Sequence, residues 1–403
     1  MRNPFIALKD KIFFRLYLSQ TISLLGDAFT WVGIALLAFQ FSGKDSAAIL
    51  STALTLRVTA FIIFGPYAGV IADRIDRKKI MYITHFVRMA IVGCLPFVTA
   101  AWQIYLLIFF LNIFNAFFTP AYQAAIPQSI TTTKSYSSGI ALSNATNQLL
   151  AVLGPGLAGA IAAWLGARQI FFVDAASFII AAVFILSLPP LLVAKTGKRK
   201  IIQSKIYTDI LKGTRLLFTN NAIRFALLIE LVSAIAGAQI LVNTVGYIKG
   251  QLHLTDKHYG YVMASFGIGA AIAAFASGNF DKSKNRIASL MIGGGLICVS
   301  IAFGNYVDFI TFFILWLIAG FSQTLAEMPS QILIAEKIPK EEHGKVYGAH
   351  FAWSHLWWAF AYPIAGFTGT HFQNKEFLIG AIISIVLFVL ITLIFYPKQT
   401  RNE

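Results

Sequence analysis

Charge is what this sequence has least of. Of its 403 residues only 12% are Asp, Glu, Lys or Arg, whereas 57% are hydrophobic. So few polar groups cannot make a soluble surface, and a soluble domain is excluded. Acids are scarcest, 17 against 32 Lys and Arg. There are two cysteines, Cys94 and Cys298, each alone inside an apolar run with no metal-ligand spacing, and both are expected in the core. No metal site and no cofactor is expected. The phosphate-binding pattern Gly-x-x-x-x-Gly-Lys-Ser/Thr is absent, which removes ATP as a direct energy source. Nor is a cleavable signal peptide visible, since the N-terminus runs straight into the first apolar stretch.

What the chain has instead is long apolar runs. One crossing of the hydrocarbon core takes about 20 apolar residues, and twelve such stretches can be drawn: 13–41, 46–71, 80–101, 103–124, 138–165, 168–193, 221–248, 258–279, 287–304, 309–335, 345–370 and 376–396. This is an all-α polytopic membrane protein with both termini on one side. The alternating layout puts 24 of the 32 Lys and Arg on the side of the termini, 5 on the far side, and Arg57, Arg88 and Arg224 in or at the edge of spans. By the positive-inside rule the termini are cytoplasmic and the compartment is the inner (plasma) membrane. The net charge of +15 is therefore an orientation signal, not a nucleic-acid footprint. Its densest part, Lys198-Arg199-Lys200 with Lys205, Lys212 and Arg215, lies in a linker over 194–219 that is suited to anionic lipid.

Between the second and third spans, Gly69-Val-Ile-Ala-Asp73-Arg74-Ile-Asp76-Arg77-Lys78-Lys79 packs six charges into a short surface turn. It resembles the Gly-x-x-x-Asp-Arg-x-x-Arg-Lys loop of the major facilitator superfamily, with Gly69, Asp73, Arg74, Arg77 and Lys78 in register. Asp76 stands where that family usually has Gly, which weakens the expected turn but keeps every charge. The resemblance implies a cytoplasmic gate, with Asp73 as the latch acid that engages basic partners and the N-terminal end of the eleventh span.

Within the first span Asp27 falls about midway, where an unpaired charge costs several kcal/mol. Arg57 in the second span and Arg88 in the third are its candidate partners, and a purely structural ion pair is one outcome. The fourth span carries Asn112 and Asn115, then Pro120 and Pro127, which bend or end a helix, and a polar loop over 131–138 follows. The fifth contains Gly154-Pro155-Gly156-Leu-Ala-Gly159, a kink with a close-packing face. This element resembles the fifth-helix motif of proton-coupled exporters of the superfamily, although Leu150 replaces the Gly usual four residues earlier. Together with Gly26-Asp27, Phe118-Thr119-Pro120-Ala121, Ile126-Pro127 and Asp174-Ala175-Ala176-Ser177, it is similar to the branch of enterobactin exporters and macrolide-efflux proteins. That likeness covers mainly residues 13–193.

The second half reads as a diverged copy of the first. The charged stretch 277–286 recurs where a second hinge falls, and 339–348 recurs where the loop after Pro127 falls, giving six-helix halves over 1–193 and 220–403. Its intramembrane acids are Glu230 and Glu327, each about nine residues, roughly 13 Å, from the cytoplasmic end of its span. On the eleventh span His350, Trp353 and Trp357 share one face, with Trp353 and Trp357 as candidate cavity lining.

In the fold this resemblance implies, spans 1, 4, 7 and 10 surround a central cavity, which places Asp27, Asn112, Asn115, Glu230 and Glu327 around one aqueous space. Desolvation disfavours a charged carboxylate, so a buried one can take up a proton and release it when rehydrated on the other side. That is the requirement for proton antiport. Glu327 has no cation near it in sequence and is the expected proton carrier. The implied function is a secondary transporter, not an enzyme: a monomer that exports a small organic molecule against protons by alternating access. Arg57 and Arg88 suit an anionic, siderophore-like cargo; Asp27, Glu230, Glu327 and the aromatics suit a cationic or neutral drug-like one. The alternatives are a uniporter or a lipid or metal facilitator on the same fold, and a non-transporting membrane sensor.

Overall fold

Long apolar runs with few breakers leave the backbone one way to satisfy its own polar groups away from water, the α-helix. Among the described residues of the computed structural model, 4–72, 75–130, 133–189, 203–280, 286–339 and 342–397, the regular elements are all helical. In chain order they are α1 (Lys11–Ser42), α2 (Ser46–Ala72), α3 (Arg77–Cys94), α4 (Ala101–Ser129), α5 (Thr133–Leu165), α6 (Ile170–Leu186), α7 (Gln203–Thr219), α8 (Asn221–Gly246), α9 (Asp256–Phe280), α10 (Arg286–Ala302), α11 (Phe309–Lys337), α12 (His343–His371) and α13 (Glu376–Phe395). Twelve of these are the expected spans. The thirteenth, α7, lies in the stretch read as linker. Seven segments of the described residues, from Lys11–Gly65 to Glu376–Phe395, are long and apolar enough to cross a membrane by length and composition alone.

Helix ends depart from the expected bounds for local reasons. The third span stops at Cys94, because a 3-10 turn over Leu95–Phe97 takes in Pro96. Conversely, α4 runs through both Pro120 and Pro127 to Ser129, so the prolines sit inside the helix and do not end it. The polar stretch 131–138 expected as a loop is helical from Thr133 onward. Side chains close several starts: Asn220 accepts the N–H groups of Ala222 and Ile223 at 3.1 and 3.2 Å, and Asp308 accepts that of Thr311 at 3.3 Å. Cys298 is buried as expected, but Cys94, the last residue of α3, is exposed.

The chain divides into two compact units. Unit 1 comprises residues 1–41, 56–200 and 256–264; unit 2 comprises 42–55, 201–255 and 265–403. Within unit 1, α3 packs on α4 and α6, and a core of Phe13, Leu16, Met81, Phe118, Tyr122 and Ile185 with their neighbours fills one end. Within unit 2, α8 is the central helix, against which α10, α11, α12 and α13 pack. Most of its side chains are buried. α7 lies across α12, and the backbone carbonyl of Lys345 comes so close to Gly213 that no side chain fits there.

Candidate functional site

Each unit encloses a cluster of ionisable side chains at positions where the sequence places acids inside apolar helices. In unit 1 the guanidinium of Arg88, on α3, is 1% exposed and reaches α1. Its Nη2 donates to Asp27 Oδ1 and Oδ2 at 3.0 and 3.1 Å and to Ser23 Oγ at 3.3 Å. Ser23 and Asp27 are one helical turn apart, so the one Nη2 group reaches both. The cation lies 4.1 Å from the Phe178 ring and 5.5 Å from Phe118, contacts that favour it electrostatically. Asp27 keeps 25% of its side chain exposed. Of the two cations that sequence offered Asp27, the fold selects Arg88. Arg57, on α2, lies instead over the Trp31 ring at 4.8 Å.

A second acid completes this cluster. Asp174, on α6 and wholly buried, accepts hydrogen bonds from the Thr30 hydroxyl and from Ser177 Oγ, the latter at 3.0 Å. Gly26 makes the approach possible, because a Cβ there would collide with Asp174 Oδ1 and Ser177 Oγ and would stand 2.8 Å from Ser177 Cβ. Two motif fragments that look unrelated in sequence, Gly26-Asp27 and Asp174 to Ser177, are thus the two sides of one helix contact. The chemistry of Asp174 was missed in sequence, although a lone acid in an apolar 17-residue helix is a readable signal. Also missed was His85, one turn before Arg88, wholly buried at 4.7 Å from the Phe118 ring and 3.4 Å from Ser19 Oγ. Asn112 turns its amide back onto Ile108 O at 2.8 Å, and Asn115 donates to Asn112 Oδ1 at 3.4 Å.

The glycines of α5 sit at close approaches within unit 1. A Cβ on Gly154 would stand 2.6 Å from Ala28 Cβ, one on Gly156 2.5 Å from Ala264 Cβ, and one on Gly159 would strike the α-carbon of Gly260. Pro155 lies between them in the helix. Of the charged hinge, Asp73 and Arg74 lie outside the described residues. Gly69, near the end of α2, has open space around it. Arg77, 7% exposed, donates to Ala72 O at 3.3 Å and Ala124 O at 2.8 Å, while Lys78 donates to Leu188 O and Arg15 to Ser187 O. The carbonyls of Ala72, Ser187 and Leu188 lie at or just beyond the C-terminal ends of α2 and α6, where a helix offers acceptors and negative potential, and that of Ala124 lies five residues before the end of α4. Asp76, the departure from the family pattern, strengthens the turn. Its carboxylate accepts the Lys78 N–H at 2.9 Å and caps α3.

In unit 2, Glu230 on α8 and His350 on α12 are 6% and 7% exposed, and His350 Nε2 lies 2.9 Å from Glu230 Oε1. One turn along α8, Ser233 Oγ donates to Glu327 Oε1 at 3.2 Å, and Gln323 Nε2 donates to the same oxygen at 3.0 Å. The two acids that share a depth in sequence therefore share a site, and His350 is the partner that sequence did not assign. Trp353 donates its indole N–H to Thr214 Oγ1 of α7 at 3.2 Å and packs on Phe218; Trp357 donates to Leu227 O at 3.0 Å. Both indole N–H groups are engaged by neighbouring helices. At the start of α12, Glu342 binds Lys212 of α7 at 2.5 Å and Lys345 at 3.1 Å. These hydrogen bonds, that of Lys212 first, hold the Glu342 carboxyl below the usual carboxylate range. No group of three or more His, Cys, Asp and Glu able to hold a metal occurs among the described residues.

Comparison with known proteins gives a consistent picture. The profile of the Major Facilitator Superfamily matches residues 16–245 and 227–403. An uncharacterised MFS-type transporter of Bacillus subtilis, YfiS, is 28% identical over 353 residues, covering 82% of this chain and 80% of the relative. Macrolide efflux protein A of Streptococcus pyogenes is 24% identical over 354 residues (83% and 84%). That of Enterococcus faecalis is 25% identical over 321 residues (75% and 95%). Among solved structures, the nucleoside transporter NupG aligns with a TM-score of 0.75 at 15% identity, covering 96% of this chain and all of that one. A bacterial homologue of the human lysosomal transporter Spinster gives 0.72 at 14%, covering 96% and 97%. These structural likenesses speak for the fold.

Proposed function

The chain belongs to the Major Facilitator Superfamily and is a multi-pass membrane transporter of that type; from this we propose that it exports a small organic molecule in exchange for protons, by alternating access, with both termini cytoplasmic. The relatives named as macrolide efflux proteins support efflux and a drug-like cargo. The observation that carries proton coupling is the charge balance of the unit 2 cluster. Two carboxylates, Glu230 and Glu327, face one imidazole, His350, with no Lys or Arg bound to them among the described residues. With a neutral imidazole the cluster carries two negative charges, and each proton taken up removes one of them. Buried charge is costly unless compensated, so proton occupancy and burial of this cluster are linked. Asp27, by contrast, is already balanced by Arg88. Glu327 is the coupling acid, since its bonds come from neutral groups, and Glu230 with His350 forms the neighbouring relay.

The test uses purified protein in proteoliposomes loaded with a radiolabelled macrolide. An imposed pH gradient drives flux in the wild type; Glu327→Gln binds the macrolide but ignores the gradient. Undiminished gradient-driven flux in Glu327→Gln would move coupling elsewhere, and flux by the wild type that never responds to the gradient would make the protein a facilitator. Orientation is checked by single cysteines in place of the exposed Lys337 and Lys44: the first is labelled from the cytoplasm and the second from outside. The opposite pattern would reverse the layout.

A further inference from the structure

Among the described residues, the Asp, His and Arg side chains in the membrane-spanning parts of α1, α2, α3 and α6 have hydrogen-bond partners, with one exception. Asp27 has Arg88, Asp174 has Thr30 and Ser177, and His85 has Ser19. Arg57 has neither a hydrogen bond nor an ion pair among the described residues; its interaction is with the face of Trp31, 4.8 Å from the guanidinium. It is the twelfth residue of the 27-residue α2, so it lies roughly 17 Å along the helix at 1.5 Å per residue, near the middle of a span. A cation at that depth is costly and faces a partner or an aqueous space. Its long stem could carry it toward an interface, but the ring contact holds it beside α1. Trp31 follows Asp27 by one turn on the same face, and Asp27 is the member of the buried ion pair that stays partly exposed. Arg57 and Trp31 are themselves only half-buried. Five guanidinium N–H donors thus stand at mid-span without an acceptor among the described residues, beside Trp31, which lies one turn along α1 from the partly exposed Asp27 side chain.

We infer that Arg57, seated on Trp31, is the subsite for an anionic oxygen group, a carboxylate, sulfonate or phosphate, on the transported molecule. The planar fork suits bidentate recognition of such a group, and the indole face keeps the fork aimed while leaving its outer N–H edge free. Asp27 and Arg88 neutralise each other, and the wholly buried Asp174 is engaged by Thr30 and Ser177, so Arg57 supplies the charge of this region that is left to meet a ligand. A lipid phosphate offers the same chemistry, but headgroups sit at the interface, about half of the ~30 Å hydrocarbon thickness away. A soluble substrate is therefore the source assigned. This inference rests on the transport reading but not on its macrolide-like cargo: it assigns the transported molecule an anionic group. Its test is a binding equilibrium without any proton gradient, so the two can fail separately.

The experiment titrates naphthalene-2-sulfonate and the neutral naphthalene-2-sulfonamide into purified full-length protein in detergent, by calorimetry. The wild type binds the sulfonate at least tenfold more tightly than the sulfonamide. Arg57→Lys keeps most of this preference, Arg57→Gln loses it, and Trp31→Leu weakens it. Monodisperse elution and unchanged helical circular dichroism establish that each variant is folded, and Arg57→Lys with Trp31→Leu still decides the matter if Arg57→Gln is not. Equal binding of the two probes by the wild type, or an undiminished preference in folded Arg57→Gln, overturns the assignment. Displacement of the sulfonate by phosphatidylglycerol at equimolar concentration overturns it in favour of lipid.

Discussion

His350 Nε2 lies 2.9 Å from Glu230 Oε1, joining α12 to α8 across 120 residues of sequence inside unit 2. Both side chains are buried, so removing one strands the other. His350→Phe is expected to destabilise the protein by ~3–5 kcal/mol, the range for breaking a buried pair. Glu230→Gln combined with His350→Phe recovers a large part of that loss. Unfolding of the single and double variants in detergent checks this, and strictly additive losses would show that the pair is not coupled.

Gly26 leaves no room for a side chain beside Asp174 and Ser177. Gly26→Ala therefore forces α1 from α6 and is expected to cost ~1–3 kcal/mol, typical of overpacking. Adding Ser177→Gly removes the Cβ that stands 2.8 Å away and restores part of the loss. Melting temperatures of the two variants decide it; equal values refute the steric account.

Asp76 caps α3 through the Lys78 N–H at 2.9 Å. Asp76→Ala should lower stability by ~1 kcal/mol, whereas Asp76→Gly, the residue usual in the family, should cost only a few tenths. If both substitutions melt together, the cap does not contribute.

Glu342 holds Lys212 of α7 and Lys345, and those hydrogen bonds lower its pKa. A carboxyl with a folded pKa below its unfolded value contributes stability that is complete above the unfolded pKa and fades as pH falls through the folded one. The hold on α7 is thus complete at neutral pH and fades as acidification passes below the unfolded reference of about 4.3 and through the lower folded pKa. Hydrogen exchange over 203–219 should rise severalfold in Glu342→Gln at pH 7, and 0.5 M salt should have the same sign of effect. Exchange that is unchanged in the variant would mean that Gly213 and Trp353 alone seat the helix.

Much of this was readable in advance because a membrane makes the sequence simple. Span number, the intramembrane acids Asp27, Glu230 and Glu327, and the close-packing glycines of α5 follow from hydropathy, charge and residue size, which are local properties. Partner choice is not local. Nothing near Asp27 in sequence distinguishes Arg57 from Arg88; only the folded arrangement pairs Arg88 with Asp27 and sets Arg57 over Trp31. The same holds for His350, which in sequence looked like one more member of an aromatic face with Trp353 and Trp357. Of the two outcomes open for the prolines of α4, bending the helix or ending it, the second does not occur, for a different reason. A proline breaks one backbone hydrogen bond, and a helix of 29 residues retains enough others to continue.

The basic residues around the hinge have a second duty. Arg15, Arg77 and Lys78 donate to carbonyls at or just beyond the ends of α2 and α6, where otherwise orphaned acceptors would need water or lipid headgroups, and Arg77 also reaches Ala124 O inside the last turns of α4. The cations that direct insertion of the nascent chain also act as stitches in the finished protein. Charge-removal scans meant to map topology will therefore also select folding defects at these three positions. Mutants there that insert in the correct orientation and still unravel would separate the two roles.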